Sequence, residues 1–244
     1  MSVKPQEPHF NLTSFQRDKL FKKDLVAKHF GVYFQFFFPL PCYGFLHPAT
    51  TYEDLDNGNI SEPLAAGICA LTSRLLPASH CNDDFRTRCT DIVDFHIFRN
   101  MDAFLRVNSR ENLVILVLAV CYNWMEGLWN KVWMYLALAA RVVTALQMNW
   151  DEPGLSAKQE SSRRLVWMIW LLDRFLAGGF DDHLVLRDDM MNLRLPCSNE
   201  TFRDGTVPYA DTSSRNPGSL KRSTELSMYA CHIKLSRIRH QILA

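Results

Sequence analysis

Arg163-Arg164-Leu165-Val166-Trp167-Met168-Ile169-Trp170-Leu171-Leu172-Asp173-Arg174 decides how this chain is read. At helical spacing the stretch makes about three turns, with an arginine pair at one end and an Asp-Arg pair at the other. Trp167 and Trp170 are i,i+3 neighbours, so both rings share one face. Arg163 stands four residues before Trp167, within reach of that ring. Leu171 and Arg174 follow each tryptophan at i+4 and lengthen the same stripe. On spacing alone this is a buried amphipathic helix whose charged ends are tied by local pairs. Ser156 and Gln159 form a capping-box start for it, and Gly178-Gly179 is its stop.

The flanks extend the pattern. Upstream lies an Ala-rich helix, Trp133-Met134-Tyr135-Leu136-Ala137-Leu138-Ala139-Ala140-Arg141. Downstream comes Leu193-Arg194-Leu195-Pro196-Cys197-Ser198-Asn199-Glu200-Thr201-Phe202. Nearer the N-terminus, Tyr33-Phe34 and Pro39-Leu40 lead to Phe45-Leu46-His47-Pro48-Ala49-Thr50-Thr51-Tyr52. In this order the motifs resemble the middle homology region of fungal zinc-cluster transcription factors, the fungal-specific transcription factor domain. The resemblance spans residues 26–240. One departure follows Asp173-Arg174, where Gly178-Gly179-Phe180-Asp181-Asp182-His183 replaces the family's Gly-Arg-Pro-like turn.

That resemblance implies an all-α, multi-helix array like the N-terminal half of the family's regulatory domain. It implies transcription regulation in the nucleus, no enzymatic activity, and regulation through protein partners, self-association or a small-molecule effector. Its motif positions are Arg163, Arg164, Trp167, Trp170, Asp173, Arg174 and Pro196, expected to form a lattice that fixes the central helix. The organisation expected is a tail and first-helix start over 1–25 and the regulatory domain over 26–202. A flexible loop over 203–223 and a terminal helix over 224–244 complete it.

Cysteine spacing bears on DNA binding. A binuclear zinc cluster needs six cysteines, including two Cys-x-x-Cys pairs. The seven cysteines stand at 42, 69, 81, 89, 121, 197 and 231, and no two are three apart. Zinc, and DNA contact through it, are therefore expected only in a DNA-binding domain absent from this chain, which itself carries no cofactor. The scattered thiols fit a reducing nucleus or cytosol.

Hydrophobic residues make up 48% and charged residues 22%, a globular balance. The net charge of +1 exerts no general pull on nucleic acid. The nearest thing to a membrane span, 132–148, is broken by Arg141 and is read as a core helix. Helices are predicted over 14–38, 61–76 and 84–106, as an antiparallel pair over 111–129 and 130–148 with a break near Gly127, and over 224–243. His47 precedes Pro48 and is expected to make a local hydrogen bond.

Three sets of residues offer alternative chemistry. A ligand pocket lined by Trp124, Trp129, Trp133 and Trp170 would make the chain a helical small-molecule sensor. Asp181 and Asp182, with Asp188-Asp189, would suit a metal-dependent helical enzyme, but Val185 occupies the position of a third carboxylate and the two glycines favour a solvated loop. His80, Cys81, Cys89, Asp91, Asp94 and His96 fit no common zinc spacing, so no metal site is expected.

Overall fold

Helix Arg110–Met125 is apolar on every side, and its residues from Leu113 to Asn123 are all buried. A helix with no polar face has to be surrounded, and this one is. The computed structural model describes residues 21–77, 82–99, 109–151, 156–205 and 227–243. Among them the chain forms nine α-helices: α1 (Lys23–Val32), α2 (Pro48–Asp56), α3 (Glu62–Thr72), α4 (Asp83–Arg99), α5 (Arg110–Met125), α6 (Trp129–Ala145), α7 (Ala157–Ala177), α8 (Asn199–Arg203) and α9 (Met228–Leu243). Helix α5 packs against α3, α4, α6 and α7; α1 lies on α3, and α9 lies on α7. No strand occurs among the described residues. The one sheet-like contact is an isolated parallel bridge between Trp150 and Asn192. The all-α array read from the sequence is the architecture observed, and among the described residues no helix is long and apolar enough to cross a membrane.

Element ends follow local chemistry. Helix α1 continues as a π-turn over Tyr33–Phe37, where the Phe38 amide reaches back to the Tyr33 carbonyl at 2.9 Å. Pro39 and Pro41 prevent further helix. Ser61 caps α3, which tightens into a 3₁₀ turn at Ser73–Leu75 before Leu76 becomes extended ahead of Pro77. The α5–α6 break sits at residues 126–128, with Gly127 at φ +71°. Helix α5 therefore stops short of the predicted 129, and Trp129 begins α6 instead. Helix α6 in turn ends at Ala145 rather than 148. Of the predicted 84–106 helix, residues 100–106 lie outside the described residues. So do 1–20, 224–226 of the terminal helix and 206–223 of the expected loop; the described end of that loop, Asp204-Gly205, is a turn. His47 caps α2 by accepting the Thr50 amide at 3.3 Å.

Candidate functional site

Helix α7 is the best-anchored element of the fold. Ser156 and Gln159 cap each other's backbone reciprocally, as the sequence predicts, and Gly178 closes the helix in the left-handed region at φ +62°. Between those ends, α7 carries a line of polar groups along a core-facing side. Residues 184–199, which form no α-helix before Asn199, run past this line as a strap.

The strap's backbone polar groups need partners, and α7 side chains supply them. The Trp167 indole donates to the Arg194 carbonyl at 2.8 Å. The Asp173 carboxylate accepts the Val185 and Leu186 amides at 2.9 and 2.8 Å. Arg174 donates to the Leu186 carbonyl at 2.9 Å and to Asp188 at 2.7 Å. Its guanidinium lies 3.7 Å from the centre of the Trp170 ring, whose indole N–H reaches Asp188 at 3.2 Å. Trp167 and Trp170 meet edge to face at 5.3 Å. Burial pushes the Asp173 carboxyl up, against the two backbone amides and Arg174, which pull it down.

At the other end of α7 the arginine pair shares one buried acid. Glu160 accepts from Arg164 Nε at 3.0 Å, from the Cys197 amide at 3.0 Å, and from Arg163 in a short ion pair. The remaining donors of Arg164 go to the carbonyls of Gly44, Cys197 and Ser198 and to Asn199 Oδ1, at 2.7–3.0 Å. Its guanidinium stacks 4.2 Å from the Phe202 ring. Tyr229 of α9 donates to the Arg164 carbonyl at 2.7 Å, and Ser227 to the Pro196 carbonyl at 2.8 Å. One guanidinium thus joins α7, the 42–46 turn, the strap and α8. Gly44 has no room for a side chain here: a Cβ would stand 2.8 Å from the Phe38 carbonyl.

Arg163 departs from the expectation of ring stacking. Its guanidinium pairs with Asp151 at 3.1 Å and with Glu160, because two carboxylates offer more to a buried cation than one ring face. Arg237 of α9 takes the place over Trp167, at 5.5 Å.

The four tryptophans of the predicted pocket divide into two groups. Trp170 is buried with Trp167 beneath the strap. Trp124 and Trp129 meet edge to face at 5.2 Å, and Phe175 closes on Trp124 at 5.1 Å. Arg239 caps Phe175 at 5.2 Å. Trp133, one turn beyond Trp129 on α6, packs on His183 at 6.2 Å, and His183 on Phe180 at 5.3 Å. Three of the four predicted pocket residues therefore belong to an open aromatic face, completed by Phe175, Phe180 and His183. Trp129, Trp133, Phe175 and Phe180 are each 40–65% exposed. Sequence reasoning missed Phe175 because it sits among core residues of α7 and nothing in the periodicity separates it from them.

A second feature is a groove of about 410 Å³ between α4 and α6, lined by Ile97, Phe98, Met134, Tyr135 and Leu138, with Asn130 and Lys131 at its rim. Two of the lining residues are tied by Asp94, which accepts from Lys131 at 2.6 Å and from Tyr135 at 2.7 Å.

The acidic residues are engaged singly. Asp181 pairs with His240 at 2.8 Å, Asp189 with Arg187 at 3.0 Å, and Asp188 with Arg174 and Arg237. Asp182 lies exposed in the 3₁₀ turn Asp181–His183. Of the imagined zinc set, His80 and Cys81 lie outside the described residues, Cys89 is buried, and His96 faces Asn112 at 3.2 Å. No three His, Cys, Asp or Glu side chains among the described residues are grouped to hold a metal ion.

Residues 31–244 match the fungal-specific transcription factor domain family. A curated relative, the Zn(2)-C6 fungal-type transcription factor FTF1c of Fusarium oxysporum f. sp. lycopersici, is 22% identical over 206 residues, covering 68% of this chain and 20% of that protein. The chain thus spans about a fifth of the length of that relative. No solved structure matches.

Proposed function

The chain belongs to the fungal-specific transcription factor domain family, and from that premise we propose that it is a regulatory module acting in the nucleus, with DNA read by a zinc cluster that this chain does not contain. The buried polar side chains of α7 are engaged within the fold, Glu160, Arg164, Asp173 and Arg174 on the strap and Arg163 on Asp151 and Glu160. The exposed rings of α6 and α7 are not. The observation that carries the reading is the set of exposed rings Trp129, Trp133, Phe175 and Phe180, large apolar side chains left in solvent of the kind that mark protein contact. In this reading a partner protein or a second copy docks there and alters transcription, and the chain catalyses no reaction.

The test is to tether all 244 residues to an unrelated DNA-binding domain upstream of a reporter, and to follow the tagged chain by microscopy. Reporter output should change with the tether, in either direction. Trp129→Ser with Phe175→Ser should abolish the change and leave the melting temperature near that of the parent. Output identical with and without the chain, or exclusion of the chain from the nucleus, overturns the proposal.

The groove between α4 and α6 favours a second reading, a sensor of an apolar small molecule, since its size lies in the range that encloses such ligands. A fragment library screened by thermal shift discriminates. Hits lost in Leu138→Trp, which fills the groove, support a sensor, and a library without hits ends that reading.

A further inference from the structure

Helix α9 is amphipathic twice over. Its inner side buries Tyr229, Ala230, Ile233 and His240 against the rest of the fold. Directly opposite stand Met228, Cys231, Leu235, Ile238 and Ile242, separated by three, four, three and four residues. That is the a–d spacing of a coiled-coil seam, about 21 Å long over two heptads. Met228, Leu235, Ile238 and Ile242 are each 51–77% exposed. The packing of α9 is carried chiefly by the inner side, through Tyr229, Ala230 and Ile233.

The flanks choose the partner. With Met228 at a, the e and g positions hold His232, Lys234, Arg239 and Gln241, and no acidic residue occurs anywhere in the helix. A parallel pair of two copies would set Lys234 of one against Arg239 of the other, the g–e′ position where like charges repel. An antiparallel pair would still meet positive against positive or neutral. Only a helix with Asp or Glu beside its own apolar stripe turns those flanks into attraction.

We propose that the outer seam of α9 docks an acidic amphipathic helix carried by another protein. Apolar side chains at a and d fill the seam, and carboxylates at the flanks meet Lys234 and Arg239. Arg239 also caps Phe175, so this surface borders the aromatic face, and Leu235→Ser with Ile238→Ser, which leaves Trp129 and Phe175 intact, tells the two apart. With two heptads the contact is short, and reversible binding in the micromolar range is expected.

The probe is a labelled synthetic helix with Leu at a and d and Glu at e and g, titrated with the full chain and read by fluorescence anisotropy. Its counterpart carries Lys in place of Glu. The Glu peptide should bind at least about tenfold more tightly than the Lys peptide. Lys234→Glu with Arg239→Glu should invert the order. Leu235→Ser with Ile238→Ser, both at exposed positions, should weaken the Glu peptide about tenfold or more while circular dichroism stays unchanged. Three results overturn the proposal: equal affinity for the two peptides, affinity untouched by the seam substitutions, or sedimentation of the chain as a dimer that those substitutions dissociate.

Discussion

Replacing Arg164 by alanine should be the most damaging single change to the polar framework. The side chain is fully buried, and its guanidinium serves Glu160, the carbonyls of Gly44, Cys197 and Ser198, and Asn199. Removing one partner of a buried ion pair costs ~3–5 kcal/mol. The lower end applies here, since Arg163 still faces Glu160. The Gly44 carbonyl then lies buried without that donor, adding ~1–3 kcal/mol. The contact with Phe202 adds roughly 1 more. The sum, ~5 kcal/mol, is a large part of the 5–15 kcal/mol of a typical domain. With a urea slope of ~3 kcal/mol per molar, the unfolding midpoint should fall by ~1.5–2 M. Arg164→Lys should recover less than half, because an ammonium meets Glu160 but cannot span the fork of carbonyls. Glu160→Leu with Arg164→Met should be milder than the two single losses added together, with coupling of at least ~2 kcal/mol. A midpoint shift for Arg164→Ala below about 0.3 M, or strict additivity in the cycle, would refute the claim that this cation organises the fold.

Trp167→Ala should cost ~3–5 kcal/mol as a core truncation, whereas Trp167→Phe should cost ~1–2 kcal/mol for lost volume and the bond to the Arg194 carbonyl; urea melts separate the two. His29, buried against Phe85 and bonded to Thr72 at 2.6 Å, has its pKa lowered by desolvation from 6.5 to about 4. The unfolded chain therefore takes up this proton first, so the contribution is intact above about pH 6.5 and lost between there and about pH 4. The loss should reach about 3 kcal/mol, and His29→Gln should flatten that part of the stability–pH curve. Gly179→Ala should cost at least ~2 kcal/mol, since φ is +103° and a Cβ would stand 2.5 Å from that of Leu243. Gly178→Ala, at φ +62° with its nearest neighbour at 3.8 Å, should cost only ~1 kcal/mol. Amide exchange in the last turn of α9 should accelerate in the first variant and not in the second.

The helices were legible because their periodicity and caps are local. The Ser156–Gln159 box, the Gly178 stop and the Gly127 break all lie where short-range rules put them. What the motif residues touch was less legible. The i+4 rule offered Arg163 to Trp167, yet Asp151 and Glu160 captured it. Glu160 carried a signal that went unused, an acid three and four residues before two arginines. Tyr229 and Gly44 carried none, because their roles depend on chain segments 65 and 120 residues from Arg164. The open aromatic face lay beyond a pattern reading for a related reason. Spacing places rings on one side of a helix, but tertiary packing decides whether that side is covered.

The strap has a consequence for how such a chain can diversify. Helix α7 grips it chiefly through main-chain atoms, the amides of Val185 and Leu186 and the carbonyls of Leu186, Arg194, Cys197 and Ser198. Peptide groups are common to every residue except for the amide that proline lacks. The gripping helix must keep its chemistry, while the gripped ribbon can trade many of its own side chains without slipping its register. Variation can accumulate on that exterior and alter what the surface offers its surroundings, with the interior left as it was.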